Sequence, residues 1–184
     1  IIFKDFLKSD DESKKKLLKE KCGITSEEEI TDIIEAAKSI PIYEFKVKAY
    51  VEGFCDFVCG DLVTYHITIK RNNVGHKKLG IGHTMMYPGN INECVQICVI
   101  NGDKMIHQHK VKITSKMTTY DFNLKLSNEG TVPMRFEMKS TCYLGVDGRV
   151  DVDVKVVKNS ENRNEMIKSI EKRKVRVELS YFAK

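Results

Sequence analysis

The stretch Leu62 to Lys70, L-V-T-Y-H-I-T-I-K, constrains this chain more than any other. Val63, Tyr65, Ile67 and Ile69 fall on one face of an extended backbone, and Thr64, His66, Thr68 and Lys70 on the other. That is the period of two of a half-buried strand. Six further stretches repeat it: Phe45 to Val51, Val95 to Val99, Lys110 to Ile113, Tyr120 to Leu126, Met134 to Lys139 and Val150 to Val156. Turn signals separate them, among them Val51-Glu52-Gly53, Asn101-Gly102-Asp103, Asn128-Glu129-Gly130 and Asp147-Gly148. Seven amphipathic strands in this order predict an antiparallel two-sheet sandwich of the fibronectin type III or immunoglobulin kind over residues 42–157. The chain is thus expected to be mainly β, with a short helical unit ahead of the sandwich.

That unit occupies residues 1–41. Ser9-Asp10-Asp11-Glu12 reads as a capping box opening a helix that runs to about Lys21 and stops at Gly23. Thr25-Ser26-Glu27-Glu28 opens a second helix, whose stripe Ile30, Ile33, Ile34 and Ala37 recurs at i, i+3, i+4 and i+7 before Pro41 closes it. Neither helix can bury its stripe alone, so both are expected to pack together and dock on the sandwich. Asn72 to Asn90, with four glycines and a proline, reads as a mobile inter-strand loop around a short edge segment at 81–86. In residues 158–184, Met166, Ile167 and Ile170 suggest a helix, and Val175, Val177 and Leu179 one more strand.

Composition excludes several classes. Apolar residues make up 41% and charged residues 31% of 184, as in a globular protein and unlike a disordered one. The net charge of +5 is spread over outward strand positions, which favours solvated faces over a weak electrostatic role at an anionic surface or partner. No apolar run approaches the roughly 18–20 residues that span a bilayer. Cys22, Cys55, Cys59, Cys94, Cys98 and Cys142 have strand-like apolar neighbourhoods and no C-x-x-C, so free buried thiols are expected.

The candidate chemistry is thin. His107 and His109 share a strand face, but spacing supplies no third metal ligand. Cys55 and Cys59, like Cys94 and Cys98, lie four residues apart, roughly 13 Å along a strand and too far to bridge. Nucleophile elbow, Gly-rich phosphate loop and H-E-x-x-H are all missing, and Glu27-Glu28-Glu29 would repel phosphate at the helix that a DNA reader would use. A noncatalytic binding module without cofactor or metal is therefore expected. Its candidate partner-binding residues lie in two inter-strand loops. One is Glu52 to Asp56, with Glu52 and Phe54, and the other is Asn72 to His76, with Asn72, Asn73 and His76.

Several stretches taken in order resemble a known family: F-L-K-S-D-D-E-S-K-K-K-L-L-K-E from Phe6, S-E-E-E-I-T-D-I-I-E-A-A-K-S-I-P from Ser26, V-C-G-D-L-V-T-Y-H-I-T-I-K-R from Val58, M-Y-P-G-N-I-N-E-C-V-Q-I-C-V-I-N-G-D from Met86, and S-T-C-Y-L-G-V-D from Ser140. Together they resemble the Sec sixty-three domain, a short helical unit before a fibronectin type III-like sandwich. The resemblance implies a cytosolic docking domain of the endoplasmic-reticulum translocon that binds the Sec sixty-one channel in post-translational translocation. A lumenal Hsp70 chaperone would be reached only through a J domain outside this sequence, and the membrane only through spans outside it. The same domain type accompanies Ski-two-like RNA helicases, which makes a helicase accessory domain the alternative.

Overall fold

β3 (Leu62–Arg71) is the middle strand of a three-stranded antiparallel sheet, flanked by β1 (Tyr43–Tyr50) and β8 (Met117–Lys125). The computed structural model describes residues 3–73, 79–82, 89, 91–159, 163, 165 and 168. A second sheet has the order β2 (Phe57–Val58), β10 (Gly148–Val157), β9 (Gly130–Ser140), β6 (Cys94–Asn101) and β7 (Lys104–Lys112). All seven expected strands form, and their inward residues meet between the sheets. Val63, Tyr65, Ile67, Val95, Ile97, Val99 and Phe136 are each 0% exposed. The fold is mainly β, an immunoglobulin-like sandwich with a short N-terminal helical unit.

Short pairings escaped the periodicity because two residues carry no period. After β1 the chain crosses to the second sheet, where β2 pairs in parallel with the end of β10, and then returns as β3. A small hairpin of β4 (Ile81–Gly82) and β5 (Ile91–Asn92) stands where the edge segment was expected. The rest of that segment, residues 83–86, lies outside the described residues, as does the strand expected at 175–179.

The helical unit has three helices rather than two: α1 (Phe3–Lys8), α2 (Asp11–Cys22) and α3 (Glu27–Ser39). Ser9 does not cap α2, because its hydroxyl donates back to the Asp5 carbonyl at the end of α1 (2.7 Å). Asp10 caps instead, accepting the Ser13 N–H at 2.9 Å, and this bond holds its carboxyl below the usual carboxylate range. Ser26, not Thr25, caps α3 by accepting the Glu29 N–H. Gly23 ends α2 in the left-handed region at φ 69°, where a side chain would be strained. Phe6, Leu7, Leu18, Ile30, Ile34 and Ala37 form a second core that also takes in Val146 from the β9–β10 turn, with Tyr43 of β1 packed against it. The helices are thereby built onto one end of the sandwich.

Candidate functional site

In the two predicted contact loops, Phe54 and Asn73 are engaged by other parts of the chain. Glu52 and Gly53 form the tight turn after β1, closed by the Phe54 N–H donating to the Val51 carbonyl (3.2 Å). Phe54 is half-buried, with the Arg163 guanidinium 4.0 Å above its ring centroid. Arg163 also donates to the carboxylates of Asp56 and Asp61, and Asp61 accepts the Val58 N–H at 2.8 Å. This arginine belongs to the C-terminal extension and is 6% exposed. It staples the extension to the turn between β1 and β3, a role that the sequence reading left unassigned.

The second loop splits. Asn72 is exposed, and its N–H donates to the Ile42 carbonyl. Asn73 is turned toward the helical unit. Its amide donates to the carbonyls of Lys38 (3.2 Å) and Ile40 (2.6 Å), and its Oδ1 accepts the Ile42 N–H (2.6 Å). It satisfies carbonyls that α3 leaves open at its end. His76 lies outside the described residues.

Beside Asn73 lies a buried ion pair. Arg71, 8% exposed, donates to the carboxylate of Glu93, which is 0% exposed. The Tyr43 hydroxyl donates to the other Glu93 oxygen. Arg71 also donates to the carbonyls of Asn73 (2.9 Å) and Ser39 (3.2 Å). One guanidinium thus joins β3, the start of β6 and the end of α3. Burial, reinforced by the Glu93 carboxylate, pushes the Tyr43 phenol far above its ordinary value, so it stays a donor. Arg71 extends the inward set Val63, Tyr65, Ile67 and Ile69; Glu93 extends Val95, Ile97 and Val99; Tyr43 precedes Phe45 and Val47 in the same phase. A cation and an anion on two inward faces were a readable signal.

This junction borders a cleft of about 280 Å³. Ile42 and Phe45 form its floor, α1 contributes Lys4, Leu7 and Lys8, and the turn from Gly145 to Arg149 forms the opposite wall. Glycines shape it. A Cβ on Gly145, which has φ +76°, would lie 2.7 Å from the Phe3 ring, and one on Gly148 would lie 3.0 Å from the Phe45 Cβ.

His107 and His109 do share a face of β7, where both rings stack with Tyr120 of β8, His109 at 4.3 Å and His107 at 6.0 Å between centroids. His107 Nε2 is 2.7 Å from the Tyr120 hydroxyl. Among the described residues no group of three or more His, Cys, Asp or Glu is placed to hold a metal ion. The thiols depart from expectation: all six are free, but only Cys94 is buried, while Cys22 and Cys55 are exposed. Cys22 ends α2 and Cys55 sits in a turn, where neither sheet covers them.

No family model matches the chain, and no curated protein does. The solved structures to which it is similar include the CARDB domain of the PF1109 protein from Pyrococcus furiosus. Its crystal structure, in complex with di-metal ions, has a TM-score of 0.47 and 15% identity over 66% of this chain and 97% of that one. A solution structure of the same domain gives a TM-score of 0.40 and 15% identity over 64% of this chain and 98% of that one. A β-glucosidase from Erythrobacter marinus gives 0.39 and 10% over 64% of this chain and 16% of that one. These findings correct the resemblance drawn from short motifs: no family model or curated protein matches, and the similar structures include CARDB domains, not a Sec sixty-three domain. The motifs mislead for a physical reason. In G-D-L-V-T, Gly60 takes φ +101° and Asp61 caps a turn; in Y-L-G-V-D, Gly145 takes φ +76° and Asp147 accepts the Ser140 N–H. Both are solutions that a sandwich needs at its turns, whatever its lineage.

Proposed function

We propose that this chain is a noncatalytic protein-interaction module that binds a polypeptide segment at the cleft between its helical unit and the sandwich. The observation that carries this reading is the adjacency of a cleft lined by both apolar and charged side chains and a fully partnered buried ion pair. Arg71, Glu93, Tyr43 and Asn73 fix α3 to two strands. Tyr43 of the junction also lines the cleft, so the β1 side of the cleft is held before any ligand arrives, and a preorganised surface binds with less ordering cost than a loose one. With the family resemblance withdrawn, the channel partner, the compartment and the helicase alternative that it supplied form no part of the proposal. Of the loop residues singled out from the sequence, Phe54 is engaged by Arg163 and Asn73 by α3, which turns attention to the cleft.

The test is a random peptide library displayed on phage and panned against the folded chain, followed by amide shift mapping of the recovered peptides. The proposal predicts shifts concentrated at residues 41–45 and 145–149. Recovered peptides that map elsewhere, or a panning that recovers none, would contradict it.

A further inference from the structure

Resting on that interaction reading, we infer that the cleft receives an acidic peptide carrying one apolar anchor side chain. Its volume is about 280 Å³. A cavity of ~150 Å³ holds a benzene ring, and drug-sized ligands fill ~300–1,000 Å³. There is room for one side chain of leucine to phenylalanine size with a little backbone. Leu7, Phe45 and Val146 supply the apolar lining for it. Leu144, one residue before the cleft wall, is a 92% exposed apolar side chain.

The charges around this lining select the flanks of the anchor. Lys4, Lys8 and Arg149 line the cleft against a single carboxylate, Asp147. Asp147 is already committed, its Oδ1 accepting the Ser140 N–H at 3.1 Å. Lys4 donates to the Asp147 carbonyl, which holds its ammonium across the cleft mouth. Asp151 partly matches Arg149 at 3.0 Å, so the uncompensated charge concentrates on the two lysines of α1. Carboxylates on either side of an apolar residue satisfy both features. A phosphate backbone would meet the cations and leave the apolar lining unfilled, and a basic peptide would meet like charge.

The experiment uses heptapeptides with Phe, Leu or Ala at the centre and flanks of Asp/Glu, Asn/Gln or Lys/Arg. Their binding to the full chain and to the Lys4→Glu, Lys8→Glu double variant is read by fluorescence polarisation. Both lysines are exposed, and circular dichroism checks that the variant keeps its fold. Peptides with Phe or Leu between acidic flanks should bind tightest, and charge reversal should weaken them roughly ten-fold, less at high salt. Equal binding by neutral or basic flanks, equal binding by the Ala-centred series, or indifference to charge reversal would overturn the inference. So would a full array without binding, or recruitment to phosphatidylserine-containing vesicles in place of peptides. If panned peptides map to the cleft yet carry no acidic residues, this inference fails while the interaction reading stands.

Discussion

Replacing Glu93 by glutamine should be among the most damaging conservative changes in this protein. The carboxylate, 0% exposed, accepts from Arg71 on one oxygen and from the Tyr43 hydroxyl on the other. An amide keeps the shape but offers one acceptor and one donor, so one of the two donors meets another donor. It also leaves the Arg71 guanidinium, 8% exposed, without a counter-charge. Breaking a buried pair from one side costs about 3–5 kcal/mol. The isosteric change belongs near the lower end, because one hydrogen bond survives. That is a large part of the ~5–15 kcal/mol that holds a domain together. With a urea slope of ~2 kcal/mol per molar, the midpoint should fall by roughly 1.5 M with little change in slope. Arg71→Met should also be costly, since the same guanidinium holds the Ser39 and Asn73 carbonyls. The double variant should lose clearly less than the sum, with a coupling of about 2 kcal/mol. A loss below about 1 kcal/mol for Glu93→Gln, or additivity in the cycle, would refute the account of the junction.

Further expectations follow from single sites. Tyr65 is 0% exposed and its hydroxyl has no hydrogen-bond partner among the described residues, so Tyr65→Phe should be neutral or stabilising by up to about 2 kcal/mol in the same urea assay. Burial pushes the Tyr65 phenol up to about 12 and the Tyr43 phenol higher still, from an ordinary 10.0. The unfolded chain releases these protons first, so the contribution of both groups is fully present below about pH 10 and is lost as pH rises from there through 12; midpoints that hold steady across that range would contradict it. Asn73→Ala should cost about 1–2 kcal/mol and speed amide exchange at the end of α3, whereas Asn72→Ala should do neither. Gly145→Ala combines positive φ with a clash against Phe3, and Phe3→Ala in the same chain should recover the clash but not the backbone strain, as thermal midpoints would show.

How far the sequence could be read depended on whether a feature repeats. Strands of seven or more residues announce themselves because each inward side chain adds to one pattern, and Val63 to Ile69 is the clearest case. The two-residue strands β2, β4 and β5 exist only through their partners, so nothing local marks them. The existence of α2 and α3 was readable and that of the six-residue α1 was not, and the caps slipped by one residue, because Ser9 and Asp10 both suit the role and the choice turns on α1 being present to accept the Ser9 hydroxyl. The junction was half legible: Arg71, Glu93 and Tyr43 continue inward phases, yet only the fold shows that their ends converge. Arg163 lies three and four residues before Met166 and Ile167, on the stripe predicted for that segment, but its target at Asp56 and Asp61 is more than a hundred residues away. Phe54, a candidate contact residue in the sequence, has its ring covered by that same arginine. The cleft left no motif, since its walls come from α1, β1 and the β9–β10 turn.

The Arg71–Glu93–Tyr43 junction and the second core join the helical unit to the sandwich as one rigid body, on which the proposed peptide-binding cleft depends. Residual dipolar couplings of the backbone amides test it most directly. One alignment tensor should fit the amides of α2, α3 and both sheets of the full chain. Couplings that need one tensor for the helices and a different one for the sheets would contradict it.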